Sequence, residues 1–307
     1  MRFPCLFCTL LFSAIFICSS NTFAQSGIAT TVSKSHLQPN TNSPATDFTE
    51  SIDPQSVKSF SDEQLNETFD KMSSQYSKNA VLYNNIGATY YTRKMYDKAE
   101  SALRRAIILN NHPAFLVNLS ILYDSQGRLT EAVSAAQRAV MQAPRYGRAR
   151  TQLCELMLVA KRNTDTVLCY DELAKIAPLD SLAQTYYALA TLKSGDADRA
   201  ISLISPLLKG QQTTPLMFDV LGFAFYQKKK FAQASNAFKQ GVELDPDSSQ
   251  LRFNLAMSLT AINDRAGALS QYKLMKDKSP VLADQLYRAL YRDAIIYVDS
   301  GVPSEKP

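Results

Sequence analysis

The feature that most constrains this chain is a pattern that returns. Leu221-Gly222-Phe223-Ala224-Phe225 is followed by Phe231, Ala234, Phe238, Gly241 and Pro246. Apolar positions fall at i, i+3, i+4 and i+7 over Leu216 to Gln227 and again over Phe231 to Leu244, so each stretch reads as an amphipathic helix. Asp245-Pro246 ends the second. Gly222 and Ala234 are small where the two helices face each other, so antiparallel backbones approach closely and Phe225 and Phe238 interlock around them. Such a hairpin recurs at steps of 33 or 34 residues, starting at Ala80, Pro113, Gly147, Ser181, Pro215 and Ser249. A unit that cannot bury its apolar face alone must stack on its neighbours.

The copies differ in clarity. The first carries Tyr83, Ile86-Gly87, Tyr90, Tyr96, Ala99, Leu103 and Ala106, with Asn111 in place of a closing proline. The second carries Leu119-Ser120, Tyr123, Gly127, Ala132, Ala136, Ala139 and Pro144. The third has Leu153-Cys154, Met157, Tyr170 and Pro178, but Thr166 stands where the others hold alanine; the fourth has Tyr187-Ala188, Gly195, Ala200, Ile204 and Leu207. The sixth has Leu255-Ala256, Leu259, Ala268, Tyr272, Met275 and Pro280. This signature resembles the tetratricopeptide repeat, whose unit is about 34 residues, and in particular exported bacterial members of that family. The resemblance implies an all-α fold, a right-handed α-solenoid of about six helical hairpins over residues 80–281. It is specific for architecture and nearly silent on partner.

The array leaves no room for a separate catalytic domain. Residues 25–79 hold four Lys against seven Asp or Glu, whereas residues 80–307 hold 28 Lys or Arg against 21 acids. The array is therefore only mildly basic, with an acidic leader.

Residues 1–24 read as a signal peptide: Met1-Arg2, an apolar run from Phe3 to Cys18, then Ser19-Ser20-Asn21 and Thr22-Phe23-Ala24. The run is shorter than the roughly 20 residues that span a bilayer. Cys18 follows Ile15-Phe16-Ile17, which lacks the small residue that lipid attachment requires. Membrane association is expected only if this segment is retained or lipidated. Residues 25–60 are rich in Ser, Thr, Asn and Pro and read as a disordered tether. Ser61-Asp62-Glu63-Gln64 has the form of a capping box, and Leu65, Phe69, Met72 and Tyr76 follow at helical spacing, giving a lead helix over 61–79. Residues 282–307, with Leu282, Leu286, Leu290 and Ile296 on one stripe, read as a capping helix and tail. Pro206 falls inside the second helix of the fourth repeat, where a kink is expected.

Chemistry finds little footing. His36 and His112 lack Cys, His or carboxylate companions at ligand spacing, and no phosphate-binding glycine loop or nucleophile elbow is present. No catalytic residue, metal or cofactor is expected, and no small-molecule substrate. Cys154 and Cys169 lie about equally far from the turn of the third hairpin. Two readings stay open: a disulfide closing a loop in an oxidising compartment, or a small buried side chain at Cys154.

The family resemblance implies that the first helices line a groove for a peptide or helix of a partner protein. Carried over by position, the groove holds Asn84, Asn85, Tyr91, Asn118, Asp124, Arg148, Gln152 and Glu155 in repeats one to three. In repeats four to six it holds Thr185, Leu189 and Leu192, then Asp219, Phe223 and Tyr226, then Phe253, Asn254 and Met257. The apolar members are expected to be exposed anchors, so that Phe223→Ala or Tyr226→Ala would spare folding. The lysine clamp of chaperone-binding members is missing: the relevant position reads Asn84, Val117, Thr151, Thr185, Asp219 and Phe253. Export and the dispersed basic residues argue against nucleic acid. The expectation is a non-enzymatic scaffold of the bacterial cell envelope, in the periplasm, serving pilus or secretion-system assembly. The alternative is a regulatory or recruiting subunit of an envelope enzyme such as a peptidoglycan hydrolase.

Overall fold

The computed structural model describes residues 57, 59–210 and 212–291. The signal segment, nearly all of the tether and the tail beyond Tyr291, Ile296 included, lie outside the described residues. Within them every regular element is helical. A lead helix, α1 (Asp62–Gln75), precedes six hairpins: α2 (Ala80–Thr92) with α3 (Tyr96–Leu109), α4 (Pro113–Ser125) with α5 (Leu129–Gln142), and α6 (Gly147–Val159) with α7 (Asn163–Ala174). Then come α8 (Ser181–Lys193) with α9 (Ala197–Ile204), α10 (Pro215–Gln227) with α11 (Phe231–Leu244), α12 (Ser249–Ala261) with α13 (Arg265–Met275), and a final helix, α14 (Pro280–Tyr291). The chain divides into two compact units, one ending at Ala190 and one beginning at Thr191, so the boundary falls inside α8.

The hairpin turn is made the same way each time. The fifteenth residue of every repeat has positive φ: Lys94, Gly127, Lys161, Gly195, Lys229 and Asn263. The next residue then donates its N–H to the carbonyl five residues back, as Met95 does to Tyr90 and Asp264 to Leu259, both at 2.9 Å. A left-handed residue just past a helix lets the freed carbonyls find donors. Glycine adopts it without strain at two turns; lysine or asparagine accepts it at the others. First helices other than α6, where Tyr146 makes no side-chain cap bond, start on side-chain caps, among them Asn79 Oδ1 accepting from Leu82 N at 3.0 Å and Asp180 Oδ1 from Ala183 N at 2.8 Å.

In unit 1, Ser61 and Gln64 cap α1 reciprocally: Gln64 N donates to Ser61 Oγ (3.2 Å) and Ser61 N to Gln64 Oε1 (2.9 Å). Leu65 and Phe69 are buried, and the Phe69 ring meets Tyr90 edge-on at 5.2 Å. The segment before α1 is anchored further back than a tether ending at residue 60 would be. Val57 is buried, and Arg93 donates to the carbonyls of Val57 (3.1 Å) and Phe60 (2.8 Å). Consecutive repeats are tied on the second-helix side by Glu100 of α3, which accepts from Arg128 (2.7 Å), Tyr123 (3.0 Å) and Arg104 (2.8 Å). Thr166 fits its alanine position because its hydroxyl donates to Arg162 O within the same helix at 2.9 Å.

In unit 2, a Cβ added to Gly222 would lie 2.5 Å from the Phe238 ring, so α10 and α11 are as close as they are because glycine is there. Phe238 packs with Ala234, Leu251 and Leu255, joining two successive hairpins in one core. Pro206 ends a helix and does not kink one. α9 stops at Ile204, and a short 3-10 turn, Leu207–Lys209, follows. Proline has no N–H to continue the ladder, so the helix terminates where it stands. At the end, α14 buries Leu282, Ala283, Leu286 and Leu290 and packs on both α12 and α13.

Candidate functional site: the inner face of the first helices

The polar positions read from the repeats come together in unit 1. α2, α4 and α6 stand side by side, and Asn118 Nδ2 of α4 donates to Asn84 Oδ1 of α2 at 2.8 Å. Asn84 Nδ2 in turn donates to Asn85 Oδ1 at 3.2 Å. All three asparagines are buried. They form a row across repeats and offer a partner little free surface themselves. The next residue in the row, Gln152 of α6, is also buried, and its Nε2 has no acceptor. Three residues further on the same face, Glu155 is only 9% exposed, and its carboxyl is pushed up to about 7 by burial, then by Asp180 and Asp124. Burial also raises the Asp124 carboxyl. Tyr91 is half-buried and packs against the apolar cluster of Ala88, Leu116, Val117, Ile121, Ala139 and Ala149.

Unit 2 repeats the device. Asp219 of α10 accepts from Asn254 Nδ2 of α12 at 2.8 Å, and Gln250 Nε2 donates to Asn254 Oδ1 at 3.0 Å. Asp219 is buried, and its carboxyl is raised from 3.8 to about 7 by burial, against the opposing pull of Asn254 and Lys193. Between those two pH values the folded chain holds a proton that the unfolded chain has released, so stability falls as pH rises through the window. Asp219→Asn keeps the acceptor and discards the charge. We expect it to stabilise the protein by roughly 1–2 kcal/mol above pH 7, the effective dielectric of real interiors blunting the burial penalty. The gain should shrink as pH falls toward 3.8, the unfolded value. Melting curves across that range check it, and an equal gain at every pH would be the wrong result.

The apolar anchors expected in repeats four to six are a correction. Leu189, Leu192, Phe253 and Met257 are all buried. A first helix inside a stack is covered by its own second helix, the preceding one and its neighbouring first helices. In α12 every residue from Phe253 to Ser258 is buried. Phe223 and Tyr226 keep partial exposure, but both rings are packed: Phe223 meets Phe238 edge-on at 5.3 Å, and Tyr226 meets Phe231 at 5.0 Å. Removing either ring therefore costs stability, contrary to the expectation above. Two first-helix side chains outside the set named from the repeats are exposed. Val81 and Leu182, each 41% exposed, occupy the second position of their repeats.

Cys154 and Cys169 join α6 to α7 through a disulfide, with Cα atoms 5.4 Å apart.

A family model described as the tetratricopeptide repeat matches residues 88–148 and 221–283. Both matched stretches are tetratricopeptide repeats. Among curated proteins, this tetratricopeptide-repeat chain is 24% identical over 210 residues to BBSome complex member BBS4 of Bos taurus, covering 66% of the chain and 39% of that protein. It thus spans about two fifths of the length of the curated relatives it matches. Among solved structures, pilF of Pseudomonas aeruginosa aligns with a TM-score of 0.56 at 16% identity over 73% of this chain and 98% of its own. YrrB, described as a TPR protein with an unusual peptide-binding site, aligns with a TM-score of 0.51 at 14% identity over 62% of this chain and 99% of its own. At these identities the likeness is one of fold. The tetratricopeptide fold is a protein–protein interaction scaffold.

Proposed function

We propose that this chain is a non-enzymatic scaffold of the bacterial cell envelope that holds an extended or helical segment of a partner protein against the inner face of its first helices. The observation that carries the reading is the polar row of unit 1. Asn84, Asn118, Gln152 and Glu155 sit on consecutive first helices whose other buried residues are mostly apolar, and the Gln152 amide has no acceptor. Polar groups are costly to bury, and an unmatched one calls for a reason. Here the row runs from helix to helix, as in the Asn118–Asn84 bond, and leaves a partner segment to meet exposed first-helix side chains such as Val81 and Leu182, on a fold that carries a peptide-binding site in YrrB. The signal-like segment and the Cys154–Cys169 bridge support a periplasmic location, where disulfides persist. Service to pilus or secretion-system assembly is the role that fits an exported scaffold of this kind.

Site-specific photocrosslinking in the native cells tests the reading. A photoreactive residue at Val81 or Leu182, on first helices, should give a discrete adduct. The same residue at Ile108 or Met141, exposed on second helices, should give none. Adducts from the second helices alone would refute the groove.

A further inference from the structure

The junction end of the hairpins in unit 1, where each second helix hands over to the next first helix, carries charge of one sign. Residues 101–123 and 132–154 contain no Asp or Glu, yet the first stretch holds Arg104 and Arg105 and the second Arg138, Arg145, Arg148 and Arg150. At the hairpin-turn end of the same unit the cations are matched: Arg93 with Asp62 at 3.3 Å, Arg128 with Glu131 at 3.0 Å and Arg162 with Asp165 at 2.7 Å. Arg104 reaches back to Glu100, and Arg150 donates to Pro144 O at 3.2 Å. Arg105, Arg138, Arg145 and Arg148 are exposed. A second observation falls on the same end. Ile107 of α3, Val140 of α5 and Tyr146 just before α6 pack on one apolar cluster, which brings the two second-helix ends and the following junction together. The next residues, Ile108 and Met141, point away from it and are 75% and 79% exposed. Both hold the twenty-ninth position of their repeats, where the other four have Lys175, Lys209, Glu243 and Asp277. Arg105 and Arg138 stand three residues earlier, on the same helix face. Two successive hairpins thus present the same pair, an arginine and a protruding apolar side chain.

We propose that the junction end of unit 1 rests on an anionic lipid surface, with Ile108 and Met141 entering the headgroup boundary and Arg105, Arg138, Arg145 and Arg148 meeting lipid phosphates. All four cations are arginine, whose planar fork donates two bonds to one phosphate and is weakly hydrated. Each basic side chain held near an anionic leaflet adds to the attraction. Apolar side chains that stand out beside those cations leave water at the acyl boundary, which is the other half of interfacial binding. An acidic protein segment would satisfy the arginines and leave Ile108 and Met141 in water. No helix among the described residues is long and apolar enough to cross a membrane, so the contact is peripheral. It requires neither retention nor lipidation of the signal segment, and it does not depend on the groove reading. A lipid surface also yields no protein adduct from positions 108 and 141, in keeping with the crosslinking pattern expected above.

Co-sedimentation with vesicles tests it. The apolar run of residues 1–24 would itself enter lipid, so the protein used is the chain from Gln25 onward, which keeps every described helix, with helical circular dichroism measured on each variant. It should pellet with vesicles of phosphatidylglycerol and phosphatidylethanolamine, stay in solution with phosphatidylcholine alone, and be released by salt. Arg138→Gln with Arg145→Gln should weaken partitioning about tenfold or more. Ile108→Ser with Met141→Ser should weaken it several-fold and leave the salt dependence unchanged, since no charge is lost. Lys94→Asn with Lys161→Asn removes the same charge at the hairpin-turn end, where Asn263 already serves the equivalent turn, and should change little. Equal losses from the lysine and arginine pairs would show attraction by net charge alone and overturn the site. No pelleting with the anionic vesicles would overturn the proposal outright, and capture of polyglutamate through the same arginines would then assign this end to an acidic protein.

Discussion

Phe238→Ala lowers the stability of unit 2 by about 3–5 kcal/mol, the range for emptying a buried aromatic site. Phe238 is 1% exposed and is wedged between hairpins, with Gly222 beneath its ring and Leu251 and Leu255 of the next repeat against it. Its loss therefore opens a cavity at a junction between repeats, where stability in a stacked array is set. Urea unfolding followed by helical circular dichroism reads the effect. Gly222→Ala should also destabilise, because its methyl would press into the same ring. Combined with Phe238→Ala, however, that methyl enters vacated space, so the double variant should lose less than the sum. A loss under about 1 kcal/mol for Phe238→Ala would mean that the core is not organised around this contact.

The second large effect is redox-linked. Reducing the Cys154–Cys169 bridge, or replacing both cysteines by serine, should cost about 3 kcal/mol, the chain-entropy value for a loop of the 15-residue separation seen here. The bridge ties the two helices of the one hairpin whose alanine position is filled by Thr166, so the third repeat should show the change first. Hydrogen exchange with and without dithiothreitol locates it. Identical protection of α6 and α7 in both conditions, with an unchanged melting temperature, would show that the bridge does not contribute.

The hairpin phase was legible because it depends on spacing within one unit. Small residues at Gly222 and Ala234, the turn five residues before Ala99 and Ala132, and the capping box at Ser61 are local patterns with local causes. Exposure of the groove was not legible in the same way. Phe253 and Met257 occupy positions that face outward from a single hairpin, yet they vanish once neighbouring helices close over them. Phe223 and Tyr226 were half-legible: position predicted an inner face, but the ring contacts with Phe238 and Phe231 come from rotamers that spacing does not encode. Glu155 carried a signal of its own, a carboxylate inside the run Leu153 to Leu158. A full-length second helix in the fourth repeat would place Pro206 inside it and imply a kink, but the chain ends that helix at Ile204.

The central claim is that a partner segment lies along the first helices. Hydrogen exchange of the full chain, measured with and without a bound segment recovered by the crosslinking above, addresses it most directly. Slowed exchange confined to α2, α4 and α6, or to α10 and α12, is the predicted result; slowing confined to α3, α5, α7, α11 or α13 would contradict it.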